Sequence, residues 1–217
     1  LFSKLTGDRM KLLPLLFFLA AFFLAAGPSG PFWQEKPPAE WTDPELVSLL
    51  TNSPWAQMVP APSGADAPAI EIYLATAGPM DKAEHERDRR YKIKRPQSAP
   101  VPGAALLEEY RAWLEENRAT QIVVAIAIHD GKAFADEQET RRMEQESVMR
   151  IGKKKFKITG HFPPTTSDPY LRLAFPRAAT EADKTVTFDL YVPGVAIGFR
   201  SAEFRIKDML VNGKLEM

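Results

Sequence analysis

Two hydrophobic periods run through this chain and divide it into elements. Leu106, Leu107, Tyr110, Trp113 and Leu114 recur every three or four positions, with Glu108, Glu109, Arg111, Glu115 and Glu116 between them. That spacing predicts an amphipathic helix with one buried face. Gln121 to Ile128 follows, apolar at nearly every position and rich in β-branched residues, which predicts a strand covered on both faces. A period of two marks Ile70, Ile72 and Leu74 against Glu71 and Tyr73. It returns where Leu171, Leu173 and Phe175 oppose Tyr170, Arg172 and Ala174, and again where Val186, Phe188, Leu190 and Val192 oppose Thr185, Thr187, Asp189 and Tyr191. Phe199, Phe204 and Ile206 continue the series, and Met209 to Leu215 carries Asn212-Gly213, the signal for a type I′ hairpin. Short strands joined by turns predict antiparallel meanders with one face packed and the other wet.

The densest local signals lie between Trp41 and Ala56. Thr42 with Glu45 three residues later fits a capping box, and Trp41 with Leu46 fits the hydrophobic staple around it. Pro44 falls in the first turn, where its missing N–H costs nothing. Leu46, Val47, Leu49 and Leu50 supply an apolar face, Asn52 terminates the helix, and Ser53-Pro54 is read as opening a second helical turn that carries Trp55. A helix this short depends on packing against a larger body. The two indoles either line a ligand pocket or fasten the segment to the core. Cohesion is the expectation, because large aromatics chiefly supply buried area. Trp41, Thr42, Glu45, Leu46, Trp55 and, on the amphipathic helix, Trp113 are therefore read as structural anchors.

The polar stretches are read as surface. Asp81 to Arg95 mixes signs in its first half, suiting a solvated helix laced with ion pairs, and turns basic in its second. Ala135 to Glu146 suits an exposed helix. Val148 to Ile158 reads as a hairpin around Gly152, and Ile158 to Asp168 as loop. Arg87, Arg89 and Arg90 in one cluster and Lys153, Lys154 and Lys155 in another are candidates for contact with an envelope protein or an anionic surface. A charged edge that blunts strand aggregation is the simpler account of the lysines.

These patterns predict an α+β fold: mainly antiparallel sheet, an amphipathic helix packed on it, and a short tryptophan-bearing helix near the N-terminus. Residues 31–68 read as an N-terminal arm and 69–217 as the α+β domain. Residues 1–30 read as something else. Lys4, Arg9 and Lys11 precede the uncharged run Leu12 to Ala26, and small residues follow at Ala25-Ala26-Gly27. This is the pattern of a secretory signal peptide, with Leu1 to Arg9 an extension upstream of Met10. Fifteen apolar residues are short for a membrane span, which needs about 20. Export to the periplasm or exterior is the expectation, and an inner-membrane anchor left uncleaved is the alternative.

Composition narrows the chemistry. Among 217 residues, Lys plus Arg and Asp plus Glu number 28 each, so net charge gives no argument for nucleic acid. The absence of cysteine excludes disulfides, thiolate metal sites and cysteine nucleophiles. Three histidines, His85, His129 and His161, are few for a metal centre, and no cofactor is expected. His129-Asp130 at the end of the apolar strand is the one candidate acid–base pair. Asp-Gly is also an ordinary turn signal, and no serine stands in a nucleophile-elbow pattern.

Three pieces carry a resemblance: Trp41-Thr42 through Ser53-Pro54-Trp55-Ala56, Phe175-Pro176-Arg177, and Phe204-Arg205-Ile206-Lys207-Asp208-Met209 with Gly213-Lys214-Leu215-Glu216. Together they resemble an uncharacterised family of exported acidobacterial proteins. The resemblance implies export and supplies no catalytic residue. The leading functional expectation is an exported, non-enzymatic binding or scaffold domain. A hydrolase using His129 with a nearby carboxylate, and a peripheral membrane protein using the basic clusters, are the alternatives.

Overall fold

The computed structural model describes residues 30–62, 66–94, 104–128, 134, 136–195 and 197–217. Its helices are α1 (Phe32–Glu35), α2 (Asp43–Thr51), α3 (Gly78–Lys94), α4 (Ala104–Asn117) and α5 (Glu137–Glu146). The strands in chain order are β1 (Ala56–Val59), β2 (Ile70–Leu74), β3 (Gln121–Ala127), β4 (Val148–Ile151), β5 (Lys154–Lys157), β6 (Gly160–Phe162), β7 (Tyr170–Pro176), β8 (Thr185–Tyr191), β9 (Phe199–Arg205), β10 (Leu210–Val211) and β11 (Lys214–Leu215). The fold is α+β, and the paired strands are antiparallel.

One sheet has the order β1-β2-β3-β7-β6 and the other β5-β4-β8-β9. β3 lies at the centre of the first, where its apolar run is buried from Ile122 to Ile126. It pairs with β7 along its whole length, from Gln121 opposite Pro176 to Ala127 opposite Tyr170. On one face of this sheet Ile72, Ile126 and Leu171 form a row, with Leu74, Val124 and Leu173 beside it. Phe175 shares that face and meets Phe188 of the second sheet with ring centroids 5.3 Å apart. The facing surfaces of the two sheets thus make an apolar sandwich core. The other face of the first sheet receives the helices: the Tyr73 hydroxyl and the Arg172 guanidinium both reach Glu84 of α3.

Local chemistry sets the element ends. The capping box of α2 is present, with Thr42 Oγ1 accepting from Glu45 N–H and the Glu45 carboxylate accepting from Thr42 N–H. Asn212 and Gly213 take φ of 51° and 78°, as the turn joining β10 and β11 requires. α3 begins at Gly78, whose N–H donates to Glu216 Oε2 at 3.1 Å; a Cβ there would stand 2.9 Å from that oxygen.

Four expectations need correction. Ser53 to Trp55 form a tight turn closed by mutual backbone hydrogen bonds between Ser53 and Ala56, and the chain leaves it as β1 rather than as a helical turn. Residues 160–162, expected in a loop, form β6, because β7 offers an open ladder to the chain returning from β5. β7 has no wet face: Arg172 is 2 % exposed, since helices cover the side opposite the sandwich core. α3 is not simply solvated either, for Glu84 and Glu86 are buried in ion pairs. Among the described residues no helix is long and apolar enough to cross a membrane. The segment read as a signal peptide lies, but for Gly30, outside the described residues.

Candidate functional site

The aromatic residues of the N-terminal segment are packed on one another and on the core. Trp41 and Trp55 are 3 % and 1 % exposed. Edge-on contacts link Phe32 to Trp33, Phe32 to Trp41, and Trp33 to Trp55. The Trp41 N–H donates to Lys36 O at 3.1 Å and the Trp55 N–H to Glu216 O at 2.7 Å, while the buried Trp33 N–H has no hydrogen-bond partner among the described residues. Leu46 is buried beneath α2. On α4, Trp113 is half-buried against Phe162 of β6, with centroids 5.3 Å apart. Neither Trp41 nor Trp55 opens onto a cleft.

The chief concentration of buried charge lies where α3 and α4 meet the first sheet. Register puts Tyr73, Ala125 and Arg172 side by side on β2, β3 and β7. The small alanine leaves both neighbours room to reach the same carboxylate. Tyr73 Oη donates to Glu84 at 2.5 Å, and Arg172 donates to Glu84 at 2.9 Å while pairing with Asp168 at 3.1 Å. Arg87 lies over the Tyr170 ring at 4.8 Å, and Arg172 over Tyr110 at 4.6 Å.

Burial works against the Glu84 carboxylate, but Arg172 and Arg87 outweigh it and hold the carboxyl below its ordinary value. For Asp168 burial wins over Arg172 and the carboxyl is raised. Burial also raises the Tyr73 and Tyr110 hydroxyls. Arg172 Nε and Nη1 and the Tyr110 hydroxyl find no hydrogen-bond partner among the described residues. A cavity of about 20 Å³ beside them, lined by Asp81, Glu84, Asp88, Tyr110 and Arg172 among others, has room for a single water. Shifted carboxylates often mark active sites. Here the acids are matched by arginines and enclosed, with space for no substrate, so the cluster's physical role is to join helices to sheet.

The larger concavity is elsewhere. An open groove of about 460 Å³ runs between the outer strands of the two sheets, lined by Asn52, Ser53, Gln57 and Ala56 on one side and by Glu203 and Arg205 on the other. Gln57 Nε2 donates across it to Glu203 O at 3.0 Å. Among the described residues Ser53 is the only hydroxyl side chain lining the groove, and it accepts from Trp55 N–H. No histidine among the described residues lines the groove. Sequence reasoning missed it because β1 itself was not foreseen, and a groove between two sheets has no signature within either segment.

The basic candidates are placed apart. On α3, Arg89 makes two 2.7 Å bonds to Glu86, and Arg90 spans Glu86, Asp43 and the Trp41 carbonyl. Arg87 is turned toward Glu84 and Tyr170. Lys153, Lys154 and Lys155 are exposed on the β4–β5 hairpin, in the other sheet. His129 and Asp130 lie outside the described residues. No group of three or more His, Asp or Glu placed to hold a metal ion occurs among the described residues. Comparison with protein-family models, with curated proteins and with solved structures finds no match to the chain.

Proposed function

We propose that this protein is an exported, non-enzymatic binding domain of the cell envelope or exterior, and that it recognises its partner at the groove between β1 and β9. One observation carries the reading. Trp41, Trp55 and the Glu84–Arg172–Asp168 cluster are enclosed, whereas the accessible groove presents a mixed polar lining between two strand edges, and among the described residues its one hydroxyl, Ser53, has no histidine beside it. Such a surface is suited to hydrogen bonding rather than to bond cleavage. The basic flank and apolar run before Gly27 support export, and membership of the exported acidobacterial family belongs to the same proposal. Contact with an anionic surface, if it contributes, falls to Lys153, Lys154 and Lys155, since the three arginines are engaged within the molecule.

Expression of the full chain in a bacterial host, followed by fractionation and N-terminal sequencing, tests the location. The expected product lies outside the cytoplasm and begins between residues 26 and 31. Retention in the cytoplasm overturns export. Hydrolysis of a chromogenic ester, peptide or glycoside that disappears in His129→Ala at unchanged stability overturns the non-enzymatic reading.

A further inference from the structure

The open side of the sandwich holds hydrogen-bonding capacity that no strand among the described residues uses. β9 is the outer strand of its sheet, and β1 is the outer strand of the other. Val192 N–H donates to Gly198 O and Ile206 N–H to Lys184 O, so the even-numbered residues of β9 direct their backbone groups toward β8. Alternation in an antiparallel ladder then turns the N–H and C=O of Ser201, Glu203 and Arg205 away from it. The Gln57 amide on the Glu203 carbonyl agrees with that geometry. It also makes the very bond that the peptide N–H of an added strand would make. A side-chain amide holds such a place reversibly, because its release costs one solvent-exchangeable hydrogen bond.

We propose that the groove binds an extended peptide segment, which adds to β9 as a fifth strand and displaces the Gln57 amide from Glu203. The inference rests on the binding-domain reading above. Ser201 to Arg205 spans about 13 Å of strand, enough to pair with a segment of about five residues. Main-chain bonds supply affinity in this mode, and side-chain contacts supply selectivity. Among the lining residues two acids, Glu203 and Asp208, face one base, Arg205, which is already paired with Asp208 at 2.7 Å. A lysine or arginine on the peptide opposite Glu203 matches that balance.

The test uses the full chain and a phage-displayed library of random twelve-residue peptides, with selected peptides resynthesised for fluorescence polarisation. Selected sequences are expected to alternate β-branched residues with a basic residue among them. Glu203→Pro removes an N–H that faces away from β8, a position where an edge strand tolerates proline. It is expected to weaken binding at least tenfold, while Gln57→Ala binds as tightly or tighter. Should Glu203→Pro unfold, Glu203→Lys is expected to weaken basic peptides to the same degree. Equal affinity of a folded Glu203→Pro variant overturns the groove proposal and leaves a binding domain with its site elsewhere. Self-association abolished by Glu203→Pro overturns it too, since the occupant is then a second copy. Failure to select any peptide overturns it, with Gln57 left as a device that blunts the edge.

Discussion

Glu84 keeps its charge in a place that disfavours charge, and its neighbours depend on that. Without it, Arg172 would face Asp168 alone, and the Tyr73 hydroxyl would lose its acceptor. Removing one member of a buried ion pair costs about 3–5 kcal/mol, since the survivor stays desolvated and unmatched. Glu84→Gln and Arg172→Met are each expected to destabilise the fold by about that much in urea unfolding. The double variant should cost less than their sum by about 1 kcal/mol or more, because the second change relieves what the first left unpaired. Strict additivity would show that the two side chains do not act as a unit. Little of this cluster was legible beforehand. Alternation assigns Arg172 and Leu173 to opposite faces, but it does not say whether both faces are covered. The clue was indirect: a strand like β3, apolar on both sides, implies a partner strand with no wet face.

Elements with their own local code were legible, and those held only by a partner were not. The capping box of α2, the Asn212-Gly213 turn and the hairpin at Gly152 each depend on residues within a few positions of one another. β1 and β6, of four and three residues, carry too few positions to show a period and exist because β2 and β7 offer them a ladder. α3 misled for a different reason. Beyond Pro79, Met80 and Ala83 at its start, its buried positions are the acids Glu84 and Glu86 held by arginines, so no apolar stripe runs its length although the helix is packed. Helix α2 offers the cleanest test at this scale. Thr42→Ala removes one side of the box and is expected to cost about 1 kcal/mol in urea unfolding, whereas Thr42→Ser keeps the acceptor and most of the stability. Equal losses in both variants would assign the effect to the methyl group's packing instead.

For the molecule as a whole, acid stability follows from where its carboxylates sit. A bond from Lys36, with Thr42 assisting, lowers the Glu45 carboxyl from 4.5 to about 2. Bonds from Arg89, opposed by burial and joined by Arg90, lower Glu86 from 4.5 to about 2. Glu84 is lowered as well. Groups depressed in the folded state contribute stability above their unfolded values, and that contribution is lost as pH falls toward the folded ones. Asp168, raised by burial, acts in the opposite sense and offsets part of the loss. The melting temperature is therefore expected to hold steady near neutrality and to fall between about pH 4.5 and pH 2. A melting temperature that rises on acidification through that range would assign control to Asp168. The bond from the Trp55 indole to the Glu216 carbonyl joins residues separated by 161 positions. Glu216 also receives the first N–H of α3. The Trp55 indole can therefore meet this acceptor only once a ribosome has added Glu216, 161 positions later, so this seam is a long-range closure that slows folding.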